Sequence, residues 1–457
     1  MGPFMRKLTS LILLVDLALA ALALVIGHLL RFDGACNLAV ITGPGGARLF
    51  IFALFAVFSA YFCEMYRWER SLGRLDLAAR TAVSVLMAFF VLSAIYYIVP
   101  GAMVGRGVLS FSLLVFGFMQ FFAHLGFLAL MQLPALARRV LVVGVGPLAA
   151  TVERVLVENP GRQAFIGFVQ PSTEQCTVAE KRIVGDVEEI LELVERERVD
   201  LLVVALTERR GGLPVRELLR CKLNGVEILD ALSFYEEMTG KLLIENIQPS
   251  WFLYSDGFRI TPFLRFYKRG FDILLSLFGI LLVLPLWPVV ALLVKFDSPG
   301  PVFFRQVRVG EREKDFTVYK FRTMRQDAEK ETGAVWAVQN DPRVTKIGKF
   351  LRKSRIDELP QLYNVLKGDM SFVGPRPERP EFVERLNRKI PYYTKRHFMK
   401  PGVTGWAQVC YPYGASDEDA LEKLRYDLYY IKNYSLWLDF LIILETVKVV
   451  AFGRGGR

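Results

Sequence analysis

Four long apolar runs limit what this chain can fold into. They cover residues 8–30, 49–66, 78–99 and 108–133. Each is long enough to cross a bilayer core of about 30 Å as a helix. Residues 1–137 are therefore expected to form a bundle of four transmembrane helices. The first run follows Arg6 and Lys7, as a signal peptide would. Its length and the absence of a small-residue cleavage site predict a retained anchor instead.

The basic residues orient these helices. Arg6 and Lys7 precede the first run, Arg67, Arg70, Arg74 and Arg80 lie between the second and third, and Arg138 and Arg139 follow the fourth. The opposite loops hold Arg31, Arg48 and Arg106. The N-terminus and everything after residue 138 are thus expected on the cytoplasmic side. The chain carries a net charge of +11 over 457 residues. Its basic residues flank apolar runs or gather near the C-terminus, which fits a membrane surface or a phosphate-rich substrate and argues against nucleic acid. Asp16 and Glu64 fall within or at the ends of the runs, where bonding between helices or a position at the membrane interface is the expected role.

Five scattered cysteines (Cys36, Cys63, Cys176, Cys221, Cys410) form no CxxC and no metal-ligand spacing. The three histidines are His28, His124 and His397, and the first two sit in apolar runs as helix–helix contacts. A His-dependent triad is not expected.

Residues 139–146 read as a buried strand entering a glycine turn. Strand-like runs follow at 164–170, 199–206 and 225–230, with helical patterns at 186–197 and 213–223. Alternation of this kind predicts a parallel, doubly wound, Rossmann-like α/β domain over residues 138–250. Gly144, Gly146 and Ala149 match G-x-G-x-x-A. The acidic residue that would hold a ribose is missing, because the second strand ends Phe168-Val169-Gln170. A structural or regulatory module is favoured over a nucleotide-binding one.

A fifth apolar run covers 273–294. Lys268 and Arg269 precede it and Lys295 follows, so both ends carry cytoplasmic-type charge. Pro285 and Pro288 lie past its middle, where a proline removes a helix hydrogen bond. A broken helix over about 270–295 that dips into the leaflet and returns satisfies both facts. It would hold a C-terminal α/β domain, 251–457, against the membrane.

The chemistry-bearing residues follow. Arg343, Lys346, Lys349, Arg352, Lys353 and Arg355 are followed by Asp357 and Glu358, then by a string running to Gly374-Pro375-Arg376-Pro377. Proline is accepted in the first turn of a helix, so Pro360 sets a helix start near Asp357. One carboxylate of the pair is suited to attack phosphorus, the other to ligate magnesium or assist with protons. Arginines, with Arg352 and Arg376 nearest, suit diphosphate oxygens.

With this string residues 265–457 closely resemble the bacterial sugar transferase family, the monotopic phosphoglycosyl transferases. The matching elements are Lys268-Arg269-x-Phe271-Asp272, Tyr319-Lys320-Phe321-Arg322-Thr323-Met324 and the string from Asp357 to Pro377. Pro401-Gly402-Val403-Thr404-Gly405-Trp406-Ala407-Gln408-Val409 and Asp427-Leu428-Tyr429-Tyr430 also match. The helices and the Rossmann-like module resemble the long form, found in exopolysaccharide, O-antigen and capsule initiation.

The resemblance implies transfer of a sugar 1-phosphate from a UDP-sugar, glucose or galactose by default, to undecaprenyl phosphate with release of UMP. It implies Asp357 as nucleophile, Glu358 as its partner and Mg2+ held by the two. Substrate contacts are implied for Lys320, Arg322, Arg352, Pro375, Arg376 and Gln408. It places the protein in the bacterial inner membrane with the catalytic domain on the cytoplasmic face. The family's re-entrant helix commonly breaks at Ser-Pro. Here the pair is Leu284-Pro285, which shifts the expected bend toward Pro288. A homodimer is favoured by the size of the accessory region. The alternative is a catalytically idle membrane scaffold or sensor of a polysaccharide complex.

Overall fold

The computed structural model of the chain describes all residues except 1–2, 33–45, 67–72, 132–136, 159–162, 172–173, 208–212, 248, 256, 259, 327, 329–340, 412–413, 415 and 452–457. Cys36, Arg67 and Arg70 therefore lie outside the described residues. The chain divides into two compact units, Met1–Thr239 and Gly240–Arg457.

The first unit begins with four helices: α1 (Pro3–Arg31), α2 (Ala47–Phe62), α3 (Arg74–Ile98) and α4 (Arg106–Met131). Helix α1 packs on α4 and α2, and α3 packs on α2 and α4. Among the described residues, α1, α3 and α4 are long and apolar enough to cross a membrane. Helix α2 has sixteen residues, fewer than the roughly twenty a span needs. The run continued to Tyr66 in sequence, but Glu64 takes φ 58° and the Met65 amide turns back to the Ala60 carbonyl. The helix therefore ends early.

Small residues bring these helices close, which is how apolar helices associate without a hydrophobic drive between them. A β-carbon at Gly27 of α1 would collide with Ser112 of α4. Asp16 is fully buried and accepts hydrogen bonds from Tyr66 Oη and Gln120 Nε2, each at 2.6 Å, with His124 Nε2 at 3.1 Å. Both Asp16 and His124 thus join helices, as expected.

The rest of the unit alternates strand and helix: β1 (Arg138–Val143), α5 (Pro147–Glu158), β2 (Gln163–Gln170), β3 (Ile183–Asp186), α6 (Ile190–Glu197), β4 (Leu201–Val204), α7 (Val215–Leu223), β5 (Glu227–Asp230) and α8 (Ala231–Thr239). The five strands form one parallel sheet in the order β3-β2-β1-β4-β5. This is the doubly wound order expected from the alternation. Residues 140–143 and 201–204 are buried throughout or nearly so, because helices cover both faces. Helices α5 and α8 pack together, as do α6 and α7. Strand β3, four residues long with no run of apolar residues, was not legible in the sequence.

The second unit takes in residues 240–250, which the sequence pattern assigned to the middle domain. Their partners explain the difference. Trp406 Nε1 donates to the Gly240 carbonyl, the Leu242 amide donates to Arg425 O, and Lys241 pairs with Glu422. Its elements are α9 (Pro249–Tyr254), α10 (Pro262–Val283), α11 (Leu286–Asp297), β6 (Phe303–Val309), β7 (Asp315–Phe321), α12 (Lys346–Lys353), α13 (Gln361–Lys367), β8 (Ser371–Val373), α14 (Pro380–Lys389), β9 (Gly402–Thr404), α15 (Trp406–Cys410), α16 (Asp417–Lys432) and α17 (Leu436–Ala451). Strands β6 and β7 pair antiparallel, and β8 and β9 pair parallel.

Helices α10 and α11 are bent by 65° at Leu284-Pro285. Pro288 is the third residue of α11, in the first turn, where its missing N–H costs no helix bond. The bend thus lies at Pro285 and does not shift to Pro288. Helix α10 is fastened by its N-terminal half. Lys268 Nζ donates to Asp439 at 2.8 Å and to the Val373 carbonyl at 3.1 Å. Asp272 Oδ1 accepts from Ser371 Oγ and the Phe372 amide. Arg269 donates to Val365 O and Leu366 O, carbonyls at the C-terminal end of α13.

Candidate active site

The acid pair sits on a tight turn between two helices. Helix α12 is capped by Thr345, whose hydroxyl accepts the Gly348 amide. After α12 the chain reverses at Arg355, φ 58°. A short 3-10 turn, Ile356–Glu358, then leads through Pro360 into α13. Proline limits how the chain can enter α13, as the sequence implied. A 3-10 turn holds about three residues per turn, so the neighbouring Asp357 and Glu358 point in different directions.

Asn364 of α13 fixes that turn against β7. It is fully buried, accepts the Tyr319 amide at 3.1 Å and donates to the Thr317 carbonyl at 2.7 Å. Lys320, the next residue on β7, then reaches Glu358 Oε1 at 2.8 Å. Arg376 comes from the other side and donates to the same oxygen at 2.7 Å. Arg355 lies 3.7 Å from Glu358 Oε2.

The Gly-Pro-Arg-Pro turn that carries Arg376 is itself held. The Gly374 amide donates to Thr404 O and the Gly402 amide to Pro375 O. Arg396, 4% exposed, donates to the Arg376 carbonyl at 3.0 Å, to Asp427 Oδ2 at 2.7 Å and to the Tyr393 hydroxyl at 2.7 Å. Burial pushes the Asp427 carboxyl up to about 6 against the pull of Arg396. A small cleft lies beside the turn, lined by Gly310, Arg376, Arg396, His397 and Met399 among others. Burial pushes the His397 imidazole down to about 3, so it is neutral at physiological pH.

The two acids differ electrostatically. Burial, then the charge of Glu358, pushes the Asp357 carboxyl up to about 6. Burial also opposes ionisation of Glu358, but Arg376, Lys320 and Arg355 outweigh it and hold that carboxyl well below its ordinary range. Burial lowers the Lys320 ammonium against the attraction of Glu358. Glu358 is a charged strut among cations. Asp357 has its Oδ1 buried with no hydrogen-bond partner among the described residues, and it is the more basic of the two.

The other expected site residues divide. Arg352 donates from Nε to Thr323 Oγ1 at 2.9 Å, and its charge acts on Asp357. Pro375 is buried in the turn and carries Arg376. Arg322 is engaged by backbone carbonyls in this arrangement. It is 5% exposed, and its guanidinium donates to the carbonyls of Val294, Ser298 and Pro299. It stitches the end of α11 to β7. Gln408 Nε2 reaches the Val403 carbonyl of β9 at 3.5 Å, and its Oε1 is buried with no hydrogen-bond partner among the described residues. Arg355 and Arg396 were missed as site residues. In sequence Arg355 is one of six cations in the run before the acid pair, and Arg396 stands in no string that marks it.

The sequence profile of the family described as bacterial sugar transferase matches residues 263–453. A UDP-N-acetylgalactosamine-undecaprenyl-phosphate N-acetylgalactosaminephosphotransferase of Aeromonas hydrophila is 46% identical over 242 residues, 53% of this chain and 56% of that protein. An exopolysaccharide production protein PSS of Rhizobium leguminosarum bv. phaseoli is 47% identical over 188 residues, 39% of this chain and 92% of that protein. The chain belongs to the bacterial sugar transferase family. A UDP-glucose:undecaprenyl-phosphate glucose-1-phosphate transferase of Xanthomonas campestris pv. campestris matches more of the chain, at 34% identity over 332 residues, 68% of this chain and 66% of that protein. Against the Aeromonas and Xanthomonas proteins, the chain spans between about half and two thirds of the relative's length.

A divalent cation in a sugar transferase site of this kind fits one acid better than two. Asp357, whose Oδ1 has no hydrogen-bond partner among the described residues, is the acid with room for a cation. Glu358 does not, since Lys320 and Arg376 already occupy Oε1 and Arg355 faces Oε2. Among the described residues no group of three Asp, Glu, His or Cys side chains converges to hold a metal. Magnesium commonly binds through one or two carboxylates together with substrate phosphates, so Asp357 alone is compatible with it.

Proposed function

We propose that this sugar transferase moves a sugar 1-phosphate from a UDP-sugar to undecaprenyl phosphate through a covalent intermediate on Asp357. The observation that supports this most is the bare, buried, unusually basic Asp357 Oδ1. It lies within the field of Lys320, Arg352 and Arg355. A carboxylate nucleophile is favoured by raised basicity, and a diphosphate is favoured by surrounding cations.

In the first half-reaction an oxygen of Asp357 bonds to the phosphorus that bears the sugar. The phosphoanhydride bond on its far side breaks, and UMP leaves with the electron pair. In the second, an oxygen of the lipid phosphate attacks the same phosphorus and the carboxylate leaves. The product is a lipid diphosphate sugar, and Asp357 is free again. Arg376 and Lys320, held by Glu358, face the diphosphate and the departing UMP. Magnesium, held by the oxygen of the Asp357 carboxylate that does not attack, would neutralise diphosphate charge.

The substrate class is a UDP-sugar, since the relatives act by name on UDP-N-acetylgalactosamine and UDP-glucose. The reaction is placed at the cytoplasmic leaflet of the bacterial inner membrane, as a first membrane step of polysaccharide assembly. The loop charges support that side. The 65° bend at Pro285, with Lys268, Arg269 and Lys295 flanking the apolar run, supports a helix pair that enters and returns. Incubation of purified protein with a panel of UDP-sugars and undecaprenyl phosphate tests the reading. UMP release that needs the lipid for turnover supports it. Release of UDP, or no release with any UDP-sugar, opposes it.

A further inference from the structure

The glycine turn of the parallel-sheet module is already filled. In a doubly wound sheet ligands sit at the switch point, outside the carboxyl ends of the strands. In the order β3-β2-β1-β4-β5 that point lies between β1 and β4. The loops there are 144–146 after β1 and 205–207 after β4. Two backbone amides converge from them, Val145 N and Thr207 N. Both donate at 2.9 Å to one side chain, Glu174: Val145 N to Oε2 and Thr207 N to Oε1.

The absent β-carbons make room for this. Gly144 has φ +126° and lies close to the Ala205 carbonyl. A β-carbon at Gly146 would collide with Glu174 Oε1 and Thr207 Oγ1. In dinucleotide-binding sheets the same glycines let a pyrophosphate approach the backbone. Here they admit a carboxylate of the chain itself. Residue 177 holds the incoming segment down, since the Thr177 amide and hydroxyl both donate to the Val145 carbonyl, at 2.8 and 3.1 Å.

We infer that this amide pair is an anion site whose resident occupant is Glu174, and that the module is thereby closed to dinucleotides. A diphosphate entering the turn would meet a carboxylate at contact distance, and like charges repel there. The second strand agrees, for it ends at Gln170 and offers no acid to a ribose. The chain's acid comes four residues later and turns inward to the glycines. The fingerprint in this module marks a self-liganded turn.

Hydrogen–deuterium exchange and ligand titration on the full-length protein in detergent test this. Wild type is expected to show slow exchange at the Val145 and Thr207 amides and no saturable binding of NAD+ at millimolar concentration. In Glu174→Ala both amides lose an ionic acceptor, and exchange at each is expected to rise by about tenfold or more. Glu174→Gln is a milder probe that keeps the side chain's volume. It retains one acceptor oxygen, so exchange rises at one of the two amides. Saturable NAD+ binding to wild type would overturn the inference. So would unchanged exchange at both amides in the Ala and Gln variants.

Discussion

Arg376 and Lys320 meet on a single oxygen of Glu358, at 2.7 and 2.8 Å. Glu358 therefore organises cations, and in the proposed reaction its neighbour Asp357 is the reactive acid. Replacing Glu358 by Gln removes the charge that holds Lys320 and Arg376 together on one oxygen. Breaking such a pair costs on the order of 3 kcal/mol, which thermal unfolding would register.

The pH profile carries a further sign. In the proposed reaction attack needs ionised Asp357, whose carboxyl is raised to about 6 by burial and by Glu358. Activity should fall as pH drops through about 6. In Glu358→Gln the like charge is gone while the cations remain, so the acid limb moves to lower pH. A limb that stays in place or moves up would contradict this coupling.

Asn364 has both amide atoms engaged by β7 backbone. Asn364→Ala should cost about 2 to 3 kcal/mol for two lost bonds and unsatisfied groups. It should also lower kcat, since β7 sets Lys320 opposite Glu358. Unfolding curves and initial rates of UMP release check both.

Arg396 supports the carbonyl of Arg376 while paired with Asp427. Arg396→Lys keeps the charge but loses the paired donors. A small displacement of Arg376 should lower kcat/KM by about 10- to 100-fold. Asp427→Asn leaves the Arg396 charge buried and should be less stable than Arg396→Lys, because an uncompensated buried charge is the costlier defect.

Pro285 sits at the bend and Pro288 in a tolerant first turn. Single cysteines at positions 266 and 296, both exposed in the structure, should label from the same side of the membrane in wild type and in Pro288→Ala. In Pro285→Ala a straightened helix should protect or transpose one of them. Equal labelling in Pro285→Ala would assign the bend to other forces.

Much of this was legible from the chain because its signals are local. Apolar length gave the helices, alternation gave the parallel sheet, and the Asp357–Pro377 string gave the centre of the site. What was not legible depended on tertiary partners. Arg322 lies in a family string, yet its two terminal nitrogens donate to the carbonyls of Val294, Ser298 and Pro299. Glu358 had the residue type of a metal ligand, and the cations Lys320 and Arg376 that approach its Oε1, which make it a poorer fit for that role, are set by tertiary structure. Helix α2 ended early at a left-handed residue that hydropathy does not reveal. Glu174 stands in a loop without pattern, and its place in the glycine turn follows from the sheet order.

The most direct measurement is the mass of the protein after brief exposure to a UDP-sugar that supports UMP release, with no lipid acceptor present. The expected result is one equivalent of UMP and a mass increase of one sugar phosphate, mapped to the peptide that contains Asp357. Addition of undecaprenyl phosphate should discharge it, and Asp357→Asn should neither form it nor turn over above roughly 10⁻⁴ of the wild-type rate. Full turnover by Asp357→Asn, or lipid product formed with no adduct under rapid quench, would contradict the assignment of Asp357 as nucleophile.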